Sequence, residues 1–182
     1  MLQLYRYMWQ PARYASREWL HLLGFHPPDG WHYGDNPARD RALDQALRAR
    51  LKPVAITGCL NDRQQRLASL APRMVTYALG LGLMPLACSD YFMLPDYRQA
   101  LLKWFTDDEI WRLYGWLGHT SNTRLSVQAM STTAINIGTL ALHRAARHNP
   151  VLHALLILLP PPQRALWPKV PQTALMFLES LL

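Results

Sequence analysis

Apolar residues recur along this chain at the three- and four-residue intervals of amphipathic helices, whereas the alternation typical of strands is scarce. Capping residues and prolines divide this pattern into segments. The predicted helices cover residues 11–23, 37–51, 61–71, 72–83, 95–104, 107–118, 123–147, 151–159 and 172–182. We therefore predict an all-α fold, a single compact domain of about seven to nine helices over residues 1–182. Two closely packed helical subdomains, divided near residues 94–95, are the alternative arrangement.

The start signals of two helices are especially complete. Thr106 is suited to cap the helix that ends at Gly118, and Glu109 lies three residues later, as a capping box requires. Asn36 is a preferred cap residue and Pro37 suits the first helical position. These local signals predict where the two helices begin, independently of any tertiary contact.

The long helical segment 123–147 is unusually rich in small side chains. They are Ala129, Ser131, Thr132, Thr133, Ala134, Gly138 and Thr139. A helix with so many small residues lets a neighbouring backbone approach closely. We therefore predict that this helix occupies a central position in a bundle.

The N-terminal segment has an aromatic residue on each side of a proline. Pro11 fixes its own φ and favours extended geometry at Gln10, so Trp9 is expected to lie just before a helix that Pro11 begins. Together with Tyr14, this arrangement predicts an N-terminus that is docked onto the core rather than frayed.

The chain is basic, with 19 Lys and Arg residues against 12 Asp and Glu and a formal net charge of +7. Such a balance favours an acidic partner, whether a protein surface, a nucleic acid or an anionic membrane face. Pro85 interrupts the apolar run 74–88, and the apolar run 151–159 is too short to span a bilayer. No secretion signal is recognisable at the N-terminus, so we expect a cytoplasmic protein without a transmembrane helix.

The basic excess is concentrated in the first 73 residues, and part of it follows one helix face. At 100° per residue, Arg41 and Arg48 lie together on the helix 37–51, on a different face from its leucines, and Lys52 continues them. The candidate protein-binding residues are Arg41, Arg48, Lys52, Arg63 and Arg66, with Arg73 following them. They could form a docking surface for an acidic protein. Alternatively, they could belong to a solvated helix face on which Asp40 and Asp44 lie among the arginines.

No pattern of catalytic or metal-ligating residues is present, and we predict no catalytic residue, no metal site and no cofactor. His143, His148 and His153 are spaced by five residues, which turns each about 140° from the last on a helix. The segment 80–83, Gly-Leu-Gly-Leu, lacks the residues of a phosphate-binding loop and is interpreted as a helix end. The acidic run 107–109 is accounted for by helix capping.

The remaining cysteine and aromatic residues also have structural interpretations. Cys59 and Cys88 are expected to be reduced, buried thiols. Trp104, Trp111 and Trp116 with Tyr114 form an aromatic stripe that is most simply explained as core. If part of this stripe is exposed, aromatic side chains beside arginines are common anchors of protein interfaces.

A family resemblance is carried by the motif Trp9-x-Pro11-x-x-Tyr14, followed by Leu20. It resembles the aromatic-x-Pro-x-x-Tyr opening of the SctK family, the accessory cytoplasmic subunit of bacterial type III secretion systems. The apolar run 77–83 is similar to the leucine- and glycine-rich middle of that family, and the chain length is also close to the family's.

The resemblance implies a non-enzymatic helical adaptor of the cytoplasmic sorting platform. Such a protein links an SctD-like inner-membrane ring protein to an SctQ-like pod protein, at the cytoplasmic face of the inner membrane. It implies no small-molecule substrate, and contact with the membrane only through partners. Two other functions fit the residues. One is a basic helical nucleic-acid-binding regulator, and the other is a small enzyme whose site assembles from distant residues such as Asp96, His119 and His143.

Overall fold

The computed structural model describes residues 2–56, 58–117, 124–163 and 170–182, and within them every regular element is helical. The prediction of an all-α fold is confirmed. The α-helices of the described residues are α1 (Leu2–Trp9), α2 (Arg17–Leu22), α3 (Pro37–Leu51), α4 (Asp62–Ser69), α5 (Met74–Leu86), α6 (Asp90–Met93), α7 (Pro95–Leu101), α8 (Asp107–Trp116), α9 (Val127–Ala145), α10 (Pro150–Leu155) and α11 (Gln172–Leu181). No single one of them is long and apolar enough to cross a membrane, although the bent pair Asp62–Ser69 and Ala71–Leu86 meets that criterion jointly by length and composition.

The predicted helix starts are confirmed by their capping contacts. The side chain of Asn36 accepts a hydrogen bond from the backbone N–H of Arg39 at 3.0 Å. Thr106 and Glu109 form the complete capping box of α8. The predicted end at Gly118 and the predicted start of the long helix at residue 123 lie outside the described residues.

The chain divides into two compact units. The first unit contains residues 1–72 and 142–162, and the second contains residues 73–141 and 163–182. Helix α9 contributes most of its length to the second unit and its last residues to the first. Each unit has its own buried core.

The core of the first unit forms where α10 packs against α1 and α4. Leu4, Leu67 and Leu155 are almost fully buried, as are Leu20 and Leu47 from neighbouring helices. A buried hydrogen bond supplements this packing, because the indole N–H of Trp19 donates to the carbonyl oxygen of Leu159 at 2.8 Å.

The N-terminus is held on the core, but not by Trp9 as predicted. Helix α1 precedes Pro11, and its periodicity buries Leu4, Tyr7 and Met8 on one face. Trp9 lies at the end of that helix with 60% of its surface exposed. Pro11 begins a single 3-10 turn that precedes α2, rather than one continuous helix.

The second unit is organised by a close crossing of α5 and α9. A Cβ placed on Gly82 would lie 1.8 Å from the carbonyl oxygen of Ala134, and one placed on Gly138 would lie 1.8 Å from that of Ala78. The two backbones are therefore in direct contact, as the small residues of the long helix predicted. The interpretation of segment 80–83 as a helix end is wrong, because these residues lie inside α5.

The C-terminal helix α11 covers another part of α5 within the same unit. Leu178 packs over Gly80, where an added Cβ would come within 3.0 Å of the leucine side chain. The hydroxyl of Tyr77 donates to the carbonyl oxygen of Leu175 at 3.1 Å. Gly80 and Gly82 thus allow two different helices, α11 and α9, to pack closely against α5.

Candidate functional site

The faces of α3 in the first unit separate leucines from arginines. Leu43 and Leu47 are buried, whereas Arg41 is exposed and Arg48 is half-buried. The sequence pattern had placed these two arginines together, and the structure brings both to the wall of one cleft of about 390 Å³. Asp40 and Asp44 line the same cleft but are buried, so the two guanidinium groups are the more accessible charges of its wall.

Trp9 completes this cleft and is the residue that the sequence interpretation missed. Its ring lies 5.4 Å from the guanidinium carbon of Arg48, a distance typical of a cation–π contact. An exposed tryptophan beside arginines is the side-chain combination most often found at the energetic centre of protein interfaces. We refer to Trp9, Arg41 and Arg48 as the arginine surface.

Asp40 and Asp44 are not exposed on α3, in contrast to the interpretation of this helix as a solvated face on which they lie among the arginines. Both are buried, and their carboxylates accept hydrogen bonds from the segments that precede α3. Asp44 accepts hydrogen bonds from the backbone N–H of Ala12 at 2.9 Å and from the hydroxyl of Tyr33 at 2.7 Å, and Asp40 accepts one from the N–H of Gly34 at 2.7 Å. Burial and the hydrogen bond to Asp44 raise the pKa of Tyr33 to about 12, so its hydroxyl remains a donor.

The other basic residues predicted from the sequence lie in different surroundings. Lys52 is exposed and ends α3 in a left-handed conformation with φ of 50°, so it follows the helix rather than extending it. Arg63 and Arg66 are exposed on α4. Arg73, which follows them in the chain, belongs to the second unit and does not contribute to this group.

Arg73 instead pairs with the capping residue of α8. Its two terminal nitrogens donate to the two carboxylate oxygens of Glu109 at 2.8 and 2.9 Å. This bidentate contact, partly opposed by desolvation, lowers the pKa of Glu109 below its ordinary value. The capping role predicted for Glu109 is confirmed, and the ion pair adds a tertiary contact to it.

The aromatic stripe of the second unit is partly exposed, so its assignment to the core is wrong for two residues. Trp104 and Trp111 are 37% and 45% exposed. The guanidinium carbon of Arg98 lies 4.5 Å from the centroid of the Trp111 ring. Exposed apolar side chains of the same unit are Met93 at 52% and Leu102 at 48%. We refer to these five residues as the aromatic surface.

The family comparison agrees with the resemblance seen at the N-terminus. A model of a family described as type III secretion system subunit matches residues 2–161. The chain belongs to this family. The match covers most of the chain and ends before α11 of this secretion subunit. No curated protein and no solved structure matches the chain.

The residues considered as candidates for a catalytic or metal site do not form a recognisable site in the described part of the secretion subunit. Its described residues contain no group of three or more metal-ligating side chains. Asp96 and His143 belong to different units, and His119 lies outside the described residues. Cys88 is buried as expected, whereas the prediction is wrong for Cys59, which is exposed, and both are free thiols.

Two histidines of the secretion subunit, His143 and His153, do share a cleft of about 280 Å³ in the first unit. Burial lowers the pKa of His143 to about 4, and the nearby His153 contributes to the shift. Burial also lowers the pKa of His153. Both imidazoles are therefore predominantly neutral at pH 7.

The secretion subunit is expected to lose stability as the pH falls from about 6.5 towards 4. In this range His143 of the unfolded chain binds a proton that the folded chain excludes, which costs up to about 3 kcal/mol. Urea unfolding of the natural protein and of His143→Gln at pH 7 and pH 4.5 measures this effect. The pH dependence should be weaker in His143→Gln and unchanged in His148→Gln, which alters an exposed histidine. Equal pH dependence in all three proteins would contradict the assignment.

Proposed function

We propose that this chain is a non-enzymatic adaptor of the cytoplasmic sorting platform of a bacterial type III secretion system. It would link an SctD-like inner-membrane ring protein to an SctQ-like pod protein at the cytoplasmic face of the inner membrane. The observation that carries the proposal is the family match over residues 2–161. The presence of two separate candidate binding surfaces, one on each unit, supports it.

The arginine surface is proposed to bind an acidic domain of the ring protein. Arg41 and Arg48 offer charge and hydrogen-bond donors to carboxylates, and Trp9 offers a large apolar face beside them. Asp44 accepts hydrogen bonds from Ala12 and Tyr33, and Oδ2 of Asp40 accepts one from Gly34, which fixes the segments around the cleft in place. Lys52, Arg63 and Arg66 would extend the positive field over a wider area and steer the partner's approach.

The aromatic surface is proposed to bind the pod protein. Arg98 holds this region together, because it donates to the carbonyl oxygen of Phe92, pairs with Asp107 and stacks on Trp111. A tryptophan held in this way presents a fixed apolar face at a low entropic cost on binding. Trp104 and Met93 add exposed apolar area from neighbouring segments. An apolar contact of this kind differs in chemistry from the arginine surface and therefore selects a different partner.

Such an adaptor acts by binding its partners at defined surfaces, not by catalysing a reaction. Each surface would hold one partner, so that the chain would join the two partners. The alternative of nucleic-acid binding predicts a complex whose affinity falls steeply with salt.

The adaptor proposal is tested in the native host with a fluorescent pod protein. In cells that lack this chain, the pod protein should be dispersed, and the natural chain should restore its clusters at the secretion apparatus. Trp111→Ala should still localise to the ring but fail to restore the pod clusters, because it removes the main aromatic anchor. Met176→Ala changes another exposed apolar residue of the second unit and should behave like the natural chain. Pod clusters that persist without this chain would overturn the proposal.

A further inference from the structure

The cleft that contains His143 and His153 has mixed walls, in which three nitrogen-bearing side chains stand among six apolar ones. Its volume is about 280 Å³, close to the lower end of the range for small-molecule sites. The apolar lining residues are Trp19, Leu22, Leu51, Leu156, Pro161 and Pro162. The hydrogen bond from Trp19 to the carbonyl oxygen of Leu159 fixes the indole ring that forms part of the wall. The cleft therefore has room for one apolar group of about the size of an amino-acid side chain.

The three lining residues of this cleft with charged or titratable side chains all carry nitrogen groups. His143 comes from α9, His153 from α10 and Arg50 from the last turn of α3. The Nε2 atom of His143 is buried and has no hydrogen-bond partner among the described residues. A buried polar atom without a partner is uncommon in folded proteins and calls for an explanation. None of the described residues that line the cleft is acidic.

We propose that this cleft binds a carboxylate that is attached to an apolar group. The carboxylate would accept one hydrogen bond from the guanidinium of Arg50 and a second from Nε2 of His143, after a rotation of the buried imidazole that brings this nitrogen to the cleft. The apolar group would lie against Trp19 and the neighbouring leucine and proline side chains. Both a free aliphatic acid and an acidic residue beside an aliphatic one in a peptide carry this chemistry.

Other ligand classes fit the lining less well. A metal cation would find only two imidazoles, and the charge of Arg50 would repel it. A phosphate dianion would use Arg50 and the two imidazoles, but it would leave the six apolar side chains of the lining without a matching group. A monoanionic carboxylate with an apolar body matches both parts of the cleft.

Binding of a carboxylate in this cleft should be coupled to proton uptake. The titratable or charged groups that line it are Arg50 from α3, His143 from α9 and His153 from α10, while α2 contributes only Trp19 and Leu22. Burial favours the neutral form of both histidines, and a bound carboxylate favours their protonated forms. Because the complex binds protons more readily than the free protein, the affinity should rise as the pH falls from 7.5 to 5.5, by about threefold or more.

The test is an NMR titration of the full chain that follows the imidazole signals of His143 and His153. One arm uses 4-methylpentanoate and the other uses a blocked leucyl-glutamate dipeptide. Either probe should shift both imidazole signals, and the binding should weaken at least tenfold in Arg50→Gln. Arg144→Gln removes an exposed arginine of the same unit that does not line the cleft and should bind normally.

The two arms distinguish the source of the ligand. Tighter binding of the dipeptide would identify a polypeptide segment, and equal or tighter binding of the free acid would identify a small carboxylic acid. His143→Gln gives an independent check, since it should weaken the pH dependence of the affinity and leave only the part that His153 contributes. The inference is overturned if neither probe shifts the imidazole signals, or if Arg50→Gln binds as well as the natural chain. It goes beyond the adaptor function and does not depend on it.

Discussion

Gly82→Ala is expected to destabilise the protein by about 3–5 kcal/mol, a loss large enough to unfold many domains of this size. The new Cβ would lie 1.8 Å from the carbonyl oxygen of Ala134 and 2.4 Å from its carbonyl carbon. Both atoms belong to the backbone of α9, so no side-chain rotation relieves the clash. Helices α5 and α9 would have to separate, and the packing of the second unit would be lost. Urea denaturation followed by circular dichroism measures the loss.

Two further glycine substitutions provide matched comparisons. Gly138→Ala should cause a similar loss, because its Cβ would lie 1.8 Å from the carbonyl oxygen of Ala78. Gly115→Ala lies in α8, where the added Cβ meets no described atom within 4 Å. It should leave the stability unchanged or raise it by up to about 1 kcal/mol, as alanine favours helices over glycine. If Gly82→Ala were as stable as Gly115→Ala, the close crossing of the two helices would be wrong.

Helix boundaries were predictable from the sequence because capping is a local interaction. Asn36, Asn61 and Thr106 each accept a hydrogen bond from a backbone N–H three residues later in the chain. The residues that make these contacts are close in sequence, so their spacing alone indicates them. Helix α1 was missed, because the proline at position 11 was interpreted as the start of the first helix rather than as a residue that follows one.

The glycines of α5 show where local signals stop being informative. A glycine within an apolar helix pattern indicates either an end of the helix or a close approach of another backbone. For Gly82 the deciding residue is Ala134, which lies more than fifty positions away in the sequence. The small residues of α9 predicted a close neighbour for that helix, but not which helix it would be.

The candidate surfaces were predictable only as helix faces. Periodicity placed Arg41 and Arg48 on one side of α3, and the structure agrees. It could not show that Asp44 is buried, since its partner Ala12 lies in a segment that precedes the helix by many residues. Periodicity also grouped Trp111 with Tyr114, whose rings are 5.9 Å apart, but it could not show which parts of the stripe other elements cover.

Reversing the charge of the arginine surface is expected to abolish binding to the ring protein. In the double variant Arg41→Glu, Arg48→Glu, two attractive contacts become repulsive and the stacking of Arg48 on Trp9 is lost. Each change is expected to cost about 1–2 kcal/mol, so the pair should weaken binding at least about thirtyfold. The salt dependence of the remaining binding should also decrease, because fewer charges participate.

A control for this variant must change the net charge equally at another location. Lys103→Glu, Arg112→Glu does so, since both residues are exposed and belong to the second unit. It should bind the ring protein with nearly natural affinity. Thermal unfolding of both double variants should match that of the natural chain, because the altered side chains of α3 contribute little to the buried core.

The central claim is that this chain couples other proteins through its arginine surface, and calorimetric titration of the purified chain with the cytoplasmic domain of the ring protein tests it most directly. We expect the natural chain and the Lys103→Glu, Arg112→Glu variant to bind with similar affinity, and the folded Arg41→Glu, Arg48→Glu variant to bind at least about thirtyfold more weakly. Unchanged affinity of the α3 variant, or the absence of binding by the natural chain, would contradict the account.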